Sequence, residues 1–124
     1  MIHILLVDDH AAFRQPLAFL LARHRDRLLV TQAGTLVEGQ RHLHEVDLAV
    51  VDSDLPDGVG EDLIRALRSV SPQTRVVALV PANPCEPVLT SLEANADAIV
   101  SKAAGLDELL GTLAQVTAEV SQRP

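Results

Sequence analysis

Tryptophan and tyrosine are absent from this sequence of 124 residues, and phenylalanine occurs only twice. The core must therefore be built from leucine, valine, isoleucine and alanine, as is common in layered α/β domains. Cysteine is almost absent too, because Cys85 is the only one. A single thiol has no partner for a disulfide within the chain, which fits a reducing cytoplasm.

Long apolar runs and an excess of positive charge are also missing. The apolar start "MIHILLVDDH" is short, lacks a basic leader and ends in two aspartates, so it predicts a strand rather than a signal peptide. Ten Lys and Arg residues against 17 Asp and Glu residues give a formal net charge of −7. This acidity argues against direct binding of the segment to nucleic acid or to an anionic membrane.

The length predicts a single domain, since 124 residues suffice for one hydrophobic core but not for two. We assign residues 1–120 to that domain and residues 121–124 to the start of a linker or C-terminal tail. The polar, Pro-ended spelling of Ser121–Pro124 supports this assignment. An ordinary frayed C-terminus explains it equally well.

Five short apolar runs alternate with stretches of helical periodicity. Nearly continuous apolar runs are typical of strands that are buried on both faces of a parallel sheet. The predicted strands are Ile2–Val7, Leu28–Gln32, Leu48–Val51, Arg75–Val80 and Ala98–Val100. A strand followed by a helix, five times over, predicts an α/β fold with right-handed crossovers.

Apolar stripes at helical spacing predict the helices. The stripes are Phe13, Leu17, Leu20 and Leu21; then Leu63, Ile64 and Leu67; and finally Leu106, Leu109, Leu110, Leu113, Val116 and Val120. The capping-box spelling from Thr35 to Glu38 predicts the start of the second helix. A short fourth helix is predicted near Val88–Ala94, and Pro16 is expected to kink the first helix or to shift its start.

Aspartates follow two of the predicted strands. Asp8 and Asp9 end the first strand, and Asp52 ends the third in "LAVVDSDLPDGVG". In open parallel sheets, ligands bind beyond the carboxyl ends of strands, so neighbouring strands would gather these acids in one crevice. Repulsion there raises pKa values unless a cation binds, and hard oxygen ligands favour Mg²⁺ over zinc. Acidic loop residues that meet by accident are the alternative.

Lys102 follows the fifth predicted strand in "AIVSKAAG". It stands at the same edge as the acids, where an ammonium group can pair with anionic oxygen across the crevice. A solvated lysine ahead of a helix is the alternative interpretation.

The motifs "LLVDDH", "VVDSDLPDGVG" and "IVSK", at these spacings, resemble those of response-regulator receiver domains of two-component signalling. The resemblance covers the whole chain, and "VDDH" and "RVVAL" resemble the NarL/FixJ-type subgroup in particular. It implies a doubly wound, flavodoxin-like (βα)5 fold with a five-stranded parallel sheet in the strand order 2-1-3-4-5.

By this resemblance, Asp52 accepts a phosphoryl group from a histidine kinase and Lys102 contacts that group. Mg²⁺ would be held by the carboxylates of Asp8, Asp9 and Asp52 and by the main-chain carbonyl of Asp54. The domain would not be an enzyme beyond its own phosphotransfer and dephosphorylation. Implied partners are the kinase, a second copy of the chain, and an effector, either a DNA-binding output domain in cis or a partner protein.

Two positions depart from the family pattern, and both belong to its conformational switch. The fourth strand of a receiver usually ends in Thr or Ser, where this chain has Val80. The fifth strand usually carries Tyr or Phe, where this chain has Ile99. Pro81, Pro84 and Pro87 restrict the loop that normally rearranges. The sequence therefore predicts intact phosphorylation chemistry with an altered readout.

Two other functions remain open. The first is an atypical receiver that acts as a phosphorylation-independent dimerisation or ligand-binding module, which Val80 and Ile99 favour and the complete acid set opposes. The second is a haloacid-dehalogenase-like phosphatase, because "AVVDSDLPDG" also resembles the Asp-x-Asp motif of that family. Against it, that motif normally opens the chain, and no cap domain fits in this length.

Overall fold

A parallel sheet lies between two layers of helices in the computed structural model, which describes residues 1–23 and 28–122. The strands are β1 (Ile2–Val7), β2 (Leu28–Ala33), β3 (Leu48–Asp52), β4 (Arg75–Val80) and β5 (Ala98–Ser101). The helices are α1 (Ala11–Ala22), α2 (Leu36–Gln40), α3 (Gly60–Val70), α4 (Glu86–Asn95) and α5 (Leu106–Ser121). The strand order is β2-β1-β3-β4-β5, which confirms the predicted doubly wound fold.

The register of the central strands brings two acidic strand ends together. β1 and β3 are parallel neighbours, with Val7 opposite Val51. Asp8 and Asp52 come one residue later on their strands and therefore end side by side. All five side chains of β3 are buried, as expected for the middle strand of a covered parallel sheet.

Alternate side chains of the strands enter two separate cores. On one face, the β1 and β3 residues pack against α3 and α4, whose buried residues are Leu63, Ile64, Leu67 and Leu92. On the other face, the alternate residues of β1 and β3 pack against α1 and α5, whose fully or nearly fully buried residues include Leu17, Leu21, Leu109 and Leu113. Burying one such leucine contributes about 1.5–3 kcal/mol relative to leaving it exposed, so the two aliphatic layers hold the sheet in place.

Some helical details differ from the prediction. Leu20 is 40% exposed, because the contact face of α1 is the narrower line of Leu17, Ala18 and Leu21. α1 starts at Ala11 and continues through Pro16. α4 starts two residues before the predicted Val88, with Pro87 in its first turn, where a missing N–H costs no helical hydrogen bond.

The α2 helix is held at its start by two separate caps. Thr35 Oγ1 accepts a hydrogen bond from the N–H of Glu38 at 3.1 Å, which confirms the predicted cap. Asp57, in the loop after β3, accepts hydrogen bonds from the N–H groups of Leu36 at 2.7 Å and Val37 at 3.0 Å. These bonds lower the pKa of Asp57 and tie the β3–α3 loop to α2.

α5 ends at Ser121, and Arg123 and Pro124, predicted to belong to a linker or tail, lie outside the described residues. Among residues 1–23 and 28–122, no helix has the length and apolar character needed to cross a membrane.

Candidate functional site

Three aspartates lie at the carboxyl edge of the sheet, where β1 and β3 end. Asp8 is fully buried and Asp52 is 3% exposed, whereas about a third of the Asp9 side chain is exposed. Burial of a carboxylate is costly unless donors or cations face it. The surroundings of these acids therefore decide what the crevice can do.

Main-chain groups satisfy one oxygen of each buried acid. Asp8 Oδ1 accepts a hydrogen bond from the N–H of His10 at 2.8 Å. Asp52 Oδ1 accepts one from the N–H of Asp54 at 3.1 Å. Asp54 in turn belongs to a small antiparallel hairpin in which Asp54–Leu55 pairs with Gly58–Val59, so the backbone just after Asp52 is fixed.

Gly60 allows α3 to start directly against the end of β3. Its N–H donates to the carbonyl of Ser53 at 3.1 Å. A Cβ at this position would collide with the main-chain carbonyl of Asp52, so only glycine permits this approach. The glycine at the end of "DLPDGVG" thus serves the placement of Asp52.

Lys102 reaches the same crevice from the turn after β5. Its Nζ lies 2.7 Å from Asp8 Oδ2 and 3.1 Å from Asp52 Oδ2. The ammonium group also lies 4.9 Å from the centre of the Phe13 ring, a cation–π distance. The structure therefore brings together the acids and the lysine that the sequence placed at one edge.

The balance of charge in the crevice shifts two pKa values. Burial raises the pKa of Asp52, as does the negative charge of Asp8, and the hydrogen bond from Asp54 with the contact to Lys102 offsets this only in part. Burial alone would lower the pKa of Lys102, but its pairing with the carboxylates of Asp8 and Asp52 outweighs burial and raises the pKa above its ordinary value of 10.5. Lys102 therefore stays protonated at neutral pH.

The side chains present fit a divalent cation. Asp8, Asp9, His10 and Asp52 place potential ligand atoms within 4.8 Å of one another. Asp8 Oδ2 is buried and has no aligned hydrogen-bond donor, only the ion pair with Lys102. Carboxylate oxygens are the ligands that Mg²⁺ prefers, so Asp8, Asp9 and Asp52 form a chemically suitable set.

The two switch positions are apolar and packed. Val80, at the end of β4, is 3% exposed and belongs to the core cluster on the α3 and α4 face. Ile99 on β5 is partly buried and packs against that same cluster. The position next to the crevice therefore offers a methyl group where Thr or Ser would offer a hydroxyl.

Two neighbours of the acid pair were not among the site residues that the sequence indicated. His10 Nδ1 lies 3.0 Å from Lys102 Nζ, although 92 residues separate them along the chain. Arg14 donates from Nη1 to the main-chain carbonyl of Asp8 at 2.5 Å. The only sequence signal for either residue was its position just after "DD" at the start of a helix.

Fold and site together define a doubly wound parallel α/β domain with an acidic crevice at its switch point. The family model described as response regulator receiver domain matches residues 4–114. The chain belongs to the response-regulator receiver domain family. The phosphatase interpretation, which rested on a motif analogy alone, loses its basis with this assignment.

Curated relatives are transcriptional regulators. The DNA-binding transcriptional activator DevR/DosR of Mycobacterium tuberculosis is 36% identical over 107 residues, covering 85% of this chain and 46% of the relative. The nitrate/nitrite response regulator protein NarL of Escherichia coli K12 is 30% identical over 117 residues, covering 93% of this chain and 54% of the relative. The chain thus spans about half the length of these relatives, and the NarL/FixJ-type assignment is consistent with them.

Solved structures share the fold over nearly the whole chain. A CheY-like receiver domain protein from Methanospirillum hungatei superposes with a TM-score of 0.85 at 26% identity, covering 98% of both chains. A response regulator from Burkholderia pseudomallei, solved with a phosphorylated aspartic acid, a calcium ion and citrate, superposes with a TM-score of 0.77 at 25% identity. That match covers 96% of this chain and 72% of the other.

Proposed function

We propose that Asp52 accepts a phosphoryl group from a histidine kinase in a Mg²⁺-dependent reaction. One observation carries this proposal: a buried carboxylate at the end of β3 faces a protonated lysine, with Lys102 Nζ 3.1 Å from Asp52 Oδ2. The phosphorylated aspartic acid and calcium ion in the Burkholderia pseudomallei regulator support it by relationship.

The chemistry asks little of the protein beyond position and charge. In the transfer, a carboxylate oxygen of Asp52 forms a bond to phosphorus while the bond from phosphorus to the kinase histidine nitrogen breaks. The ammonium group of Lys102 pairs with the phosphoryl oxygens. Asp8, Asp9, Asp52 and the main-chain carbonyl of Asp54 would hold Mg²⁺, which would supply further neutralisation of charge. The domain thus catalyses only its own phosphotransfer and dephosphorylation.

The output acts outside this domain. Because the relatives are transcriptional regulators about twice as long, the effector in this proposal is a DNA-binding domain in cis, beyond the domain of residues 1–120 and the linker or tail that starts at residue 121. A partner protein is the alternative effector, and a second copy of the chain is a further partner. The net charge of −7 argues that this segment itself does not bind DNA. In this proposal, the regulator acts in the cytoplasm.

The decisive experiment is modification by acetyl phosphate with Mg²⁺, followed by intact mass spectrometry. We expect one phosphoryl group on the wild-type chain and none on Asp52→Asn. The matched control is Asp54→Asn, because Asp54 is an exposed aspartate only two residues away and should be dispensable as an acceptor. Modification that survives in Asp52→Asn but disappears in Asp54→Asn would show that Asp54, and not Asp52, accepts the phosphoryl group.

Val80 supports a second candidate function, a receiver that works as an interaction module with weak response to phosphate. A phosphoryl group can shift a conformational equilibrium only through contacts that differ between the two states. Loss of one charge-assisted hydrogen bond to a hydroxyl removes about 1.5–3 kcal/mol of that difference. Phosphorylation would then occur and be transmitted poorly to α4, β5 and α5.

Restoring the hydroxyl tests this second candidate. We expect Val80→Thr to enlarge the chemical-shift changes that beryllofluoride induces on α4, β5 and α5. Val76→Thr is the matched control, because it makes the same change in a buried position near the other end of β4. A full response of the wild-type chain, with dimerisation on activation, would refute the weakened switch.

A further inference from the structure

The imidazole of His10 faces into the acidic crevice. Its Nδ1 lies 3.3 Å from Asp8 Oδ1 and 3.3 Å from Asp9 Oδ1. It also lies 3.0 Å from Lys102 Nζ. An ammonium group can only donate hydrogen bonds, so the contact with Lys102 uses a lone pair on Nδ1, whereas the contacts with the two carboxylates use a proton there.

Lys102 shows that a cation fits among these groups. Its ammonium contacts Asp8 Oδ2 at 2.7 Å, Asp52 Oδ2 at 3.1 Å and His10 Nδ1 at 3.0 Å. Two oxygens and one nitrogen from three different side chains therefore converge on one positive charge. The same atoms are ligands that a divalent metal ion uses.

The spacing between His10 Nδ1 and the Oδ1 atoms of Asp8 and Asp9 also suits a metal ion. An octahedral ion with ligands at about 2.0–2.1 Å holds neighbouring ligand atoms about 3 Å apart. The distances of 3.3 Å from His10 Nδ1 to the two carboxylate oxygens are close to this spacing. The four candidate ligand atoms all lie within 4.8 Å of one another.

The backbone holds His10 in place without using its ring. His10 precedes α1 as the N-cap, and its carbonyl accepts hydrogen bonds from the N–H groups of Phe13 at 2.9 Å and Arg14 at 2.8 Å. Its side chain makes no capping hydrogen bond, and 65% of it is exposed. The ring is therefore positioned at the crevice, where its contacts are with the charged groups of the site.

We propose that His10 is a nitrogen ligand of the metal ion in this crevice and that the site therefore prefers a first-row transition metal ion such as Mn²⁺ to Mg²⁺. The inference rests on the proposed function, which supplies the carboxylate part of the site. Mg²⁺ gains little from an imidazole, whereas affinity for nitrogen ligands rises along the series from Mn²⁺ to Cu²⁺. The metal preference thus depends on this chain's own histidine.

Mn²⁺ is the probe of choice, because electron spin-echo envelope modulation detects a histidine nitrogen bound to it directly. We expect the nitrogen coupling in the wild-type chain and its loss in His10→Gln. The ratio of Mn²⁺ to Mg²⁺ affinity, from competition titrations, should fall about tenfold in His10→Gln, the lower end of what loss of a metal-site contact costs. The matched control is His44→Gln, an exposed histidine in the loop before β3 at the opposite edge of the sheet.

The outcomes separate this inference from the proposed function. Mn²⁺ that binds the wild-type chain without nitrogen coupling overturns the ligand role of His10 and leaves the carboxylate site intact. Coupling that persists in His10→Gln overturns it as well. Failure of both Mn²⁺ and Mg²⁺ to bind overturns the inference together with the metal dependence of the proposed function. Acetyl phosphate modification of Asp52, measured on the same samples, reports on phosphoryl acceptance separately.

Discussion

Two clusters of charged side chains lie at opposite edges of the same sheet and have opposite electrostatic balances. At the carboxyl edge, the acids around Asp8 and Asp52 share a single lysine. At the amino edge, one carboxylate, that of Asp97, meets both Arg68 and Arg75. In the sequence, both clusters contain charged residues at strand boundaries. In the structure, they differ in the ratio of acidic to basic side chains.

The amino-edge cluster is saturated with donors. Asp97 Oδ2 lies 2.8 Å from Arg68 Nη2 and accepts a hydrogen bond from the N–H of Val76 at 2.7 Å, and its Oδ1 lies 3.2 Å from Arg75 Nη1. Burial raises the pKa of Asp97, but the hydrogen bonds from Arg68 and Val76 and the charge of Arg68 have the larger, opposite effect. The pKa of Asp97 is therefore lowered overall. The pKa of Asp52 moves the other way. The amino edge therefore stabilises the fold, whereas the carboxyl edge holds charge that a ligand can relieve.

The largest expected effect comes from removing the centre of the amino-edge cluster. Arg68 donates hydrogen bonds to Asp97 and to the main-chain carbonyls of Pro72, Thr74 and Asn95, so it joins α3 to the start of β4 and to the turn before β5. We expect Arg68→Ala to lower the free energy of unfolding by about 2–4 kcal/mol, because several partly buried acceptors lose their donor. Urea unfolding measures this change.

Arg65 provides the control for this substitution. It lies on the same helix, three residues earlier, but is exposed and pairs with Glu61 one turn away. Arg65→Ala should cost at most about 0.5 kcal/mol, the usual contribution of an exposed helical ion pair. Equal losses in the two variants would show that the amino-edge cluster has no special structural role.

The next largest effect has the opposite sign and lies at the carboxyl edge. Asp52→Asn should raise the free energy of unfolding by about 1–2 kcal/mol without divalent cations, because a neutral isostere removes a charge that the fold disfavours. Saturating Mg²⁺ should stabilise the wild-type chain by about 1–3 kcal/mol through mass action and Asp52→Asn by less. Unfolding curves with and without millimolar Mg²⁺ test both statements. A loss of stability in Asp52→Asn, with no response of the wild-type chain to Mg²⁺, would contradict this account.

The sequence predicts one of these clusters far better than the other. Asp8, Asp52 and Lys102 stand at the carboxyl ends of recognisable strands, so strand order alone brings them together. Arg68 belongs to the exposed side of an amphipathic helix pattern. Most of its acceptors are main-chain carbonyls, which every residue has and which the residue type therefore does not indicate.

Details of the site that depend on side-chain direction were also beyond the sequence. The contact between His10 and Lys102 depends on how the cap of α1 and the turn after β5 approach each other in space. The exposure of Leu20 depends on how α1 packs beside the sheet, which periodicity leaves open within one helical turn. Pattern thus determines which strand ends meet, while packing determines which side chains touch.

The smallest expected effect sharpens the comparison through pH. Because the folded state lowers the pKa of Asp97 below 3.8, the ionised carboxylate contributes stability that is fully present above the pKa of the unfolded chain, about 3.9. That contribution is lost as pH falls through the lower, folded value. The difference in unfolding free energy between the wild-type chain and Asp97→Asn should therefore be about 1 kcal/mol at neutral pH and should shrink below about pH 4. In an Arg68→Ala background, where the strongest cationic partner is missing, the same difference should be smaller and less dependent on pH.

Urea unfolding of the wild-type chain, Asp97→Asn, Arg68→Ala and the double variant, from neutral pH to about pH 3.5, measures these differences in unfolding free energy. A difference that grows on acidification would mean that the fold favours the protonated form of Asp97, as it does for Asp52, and the contrast between the two edges would fail.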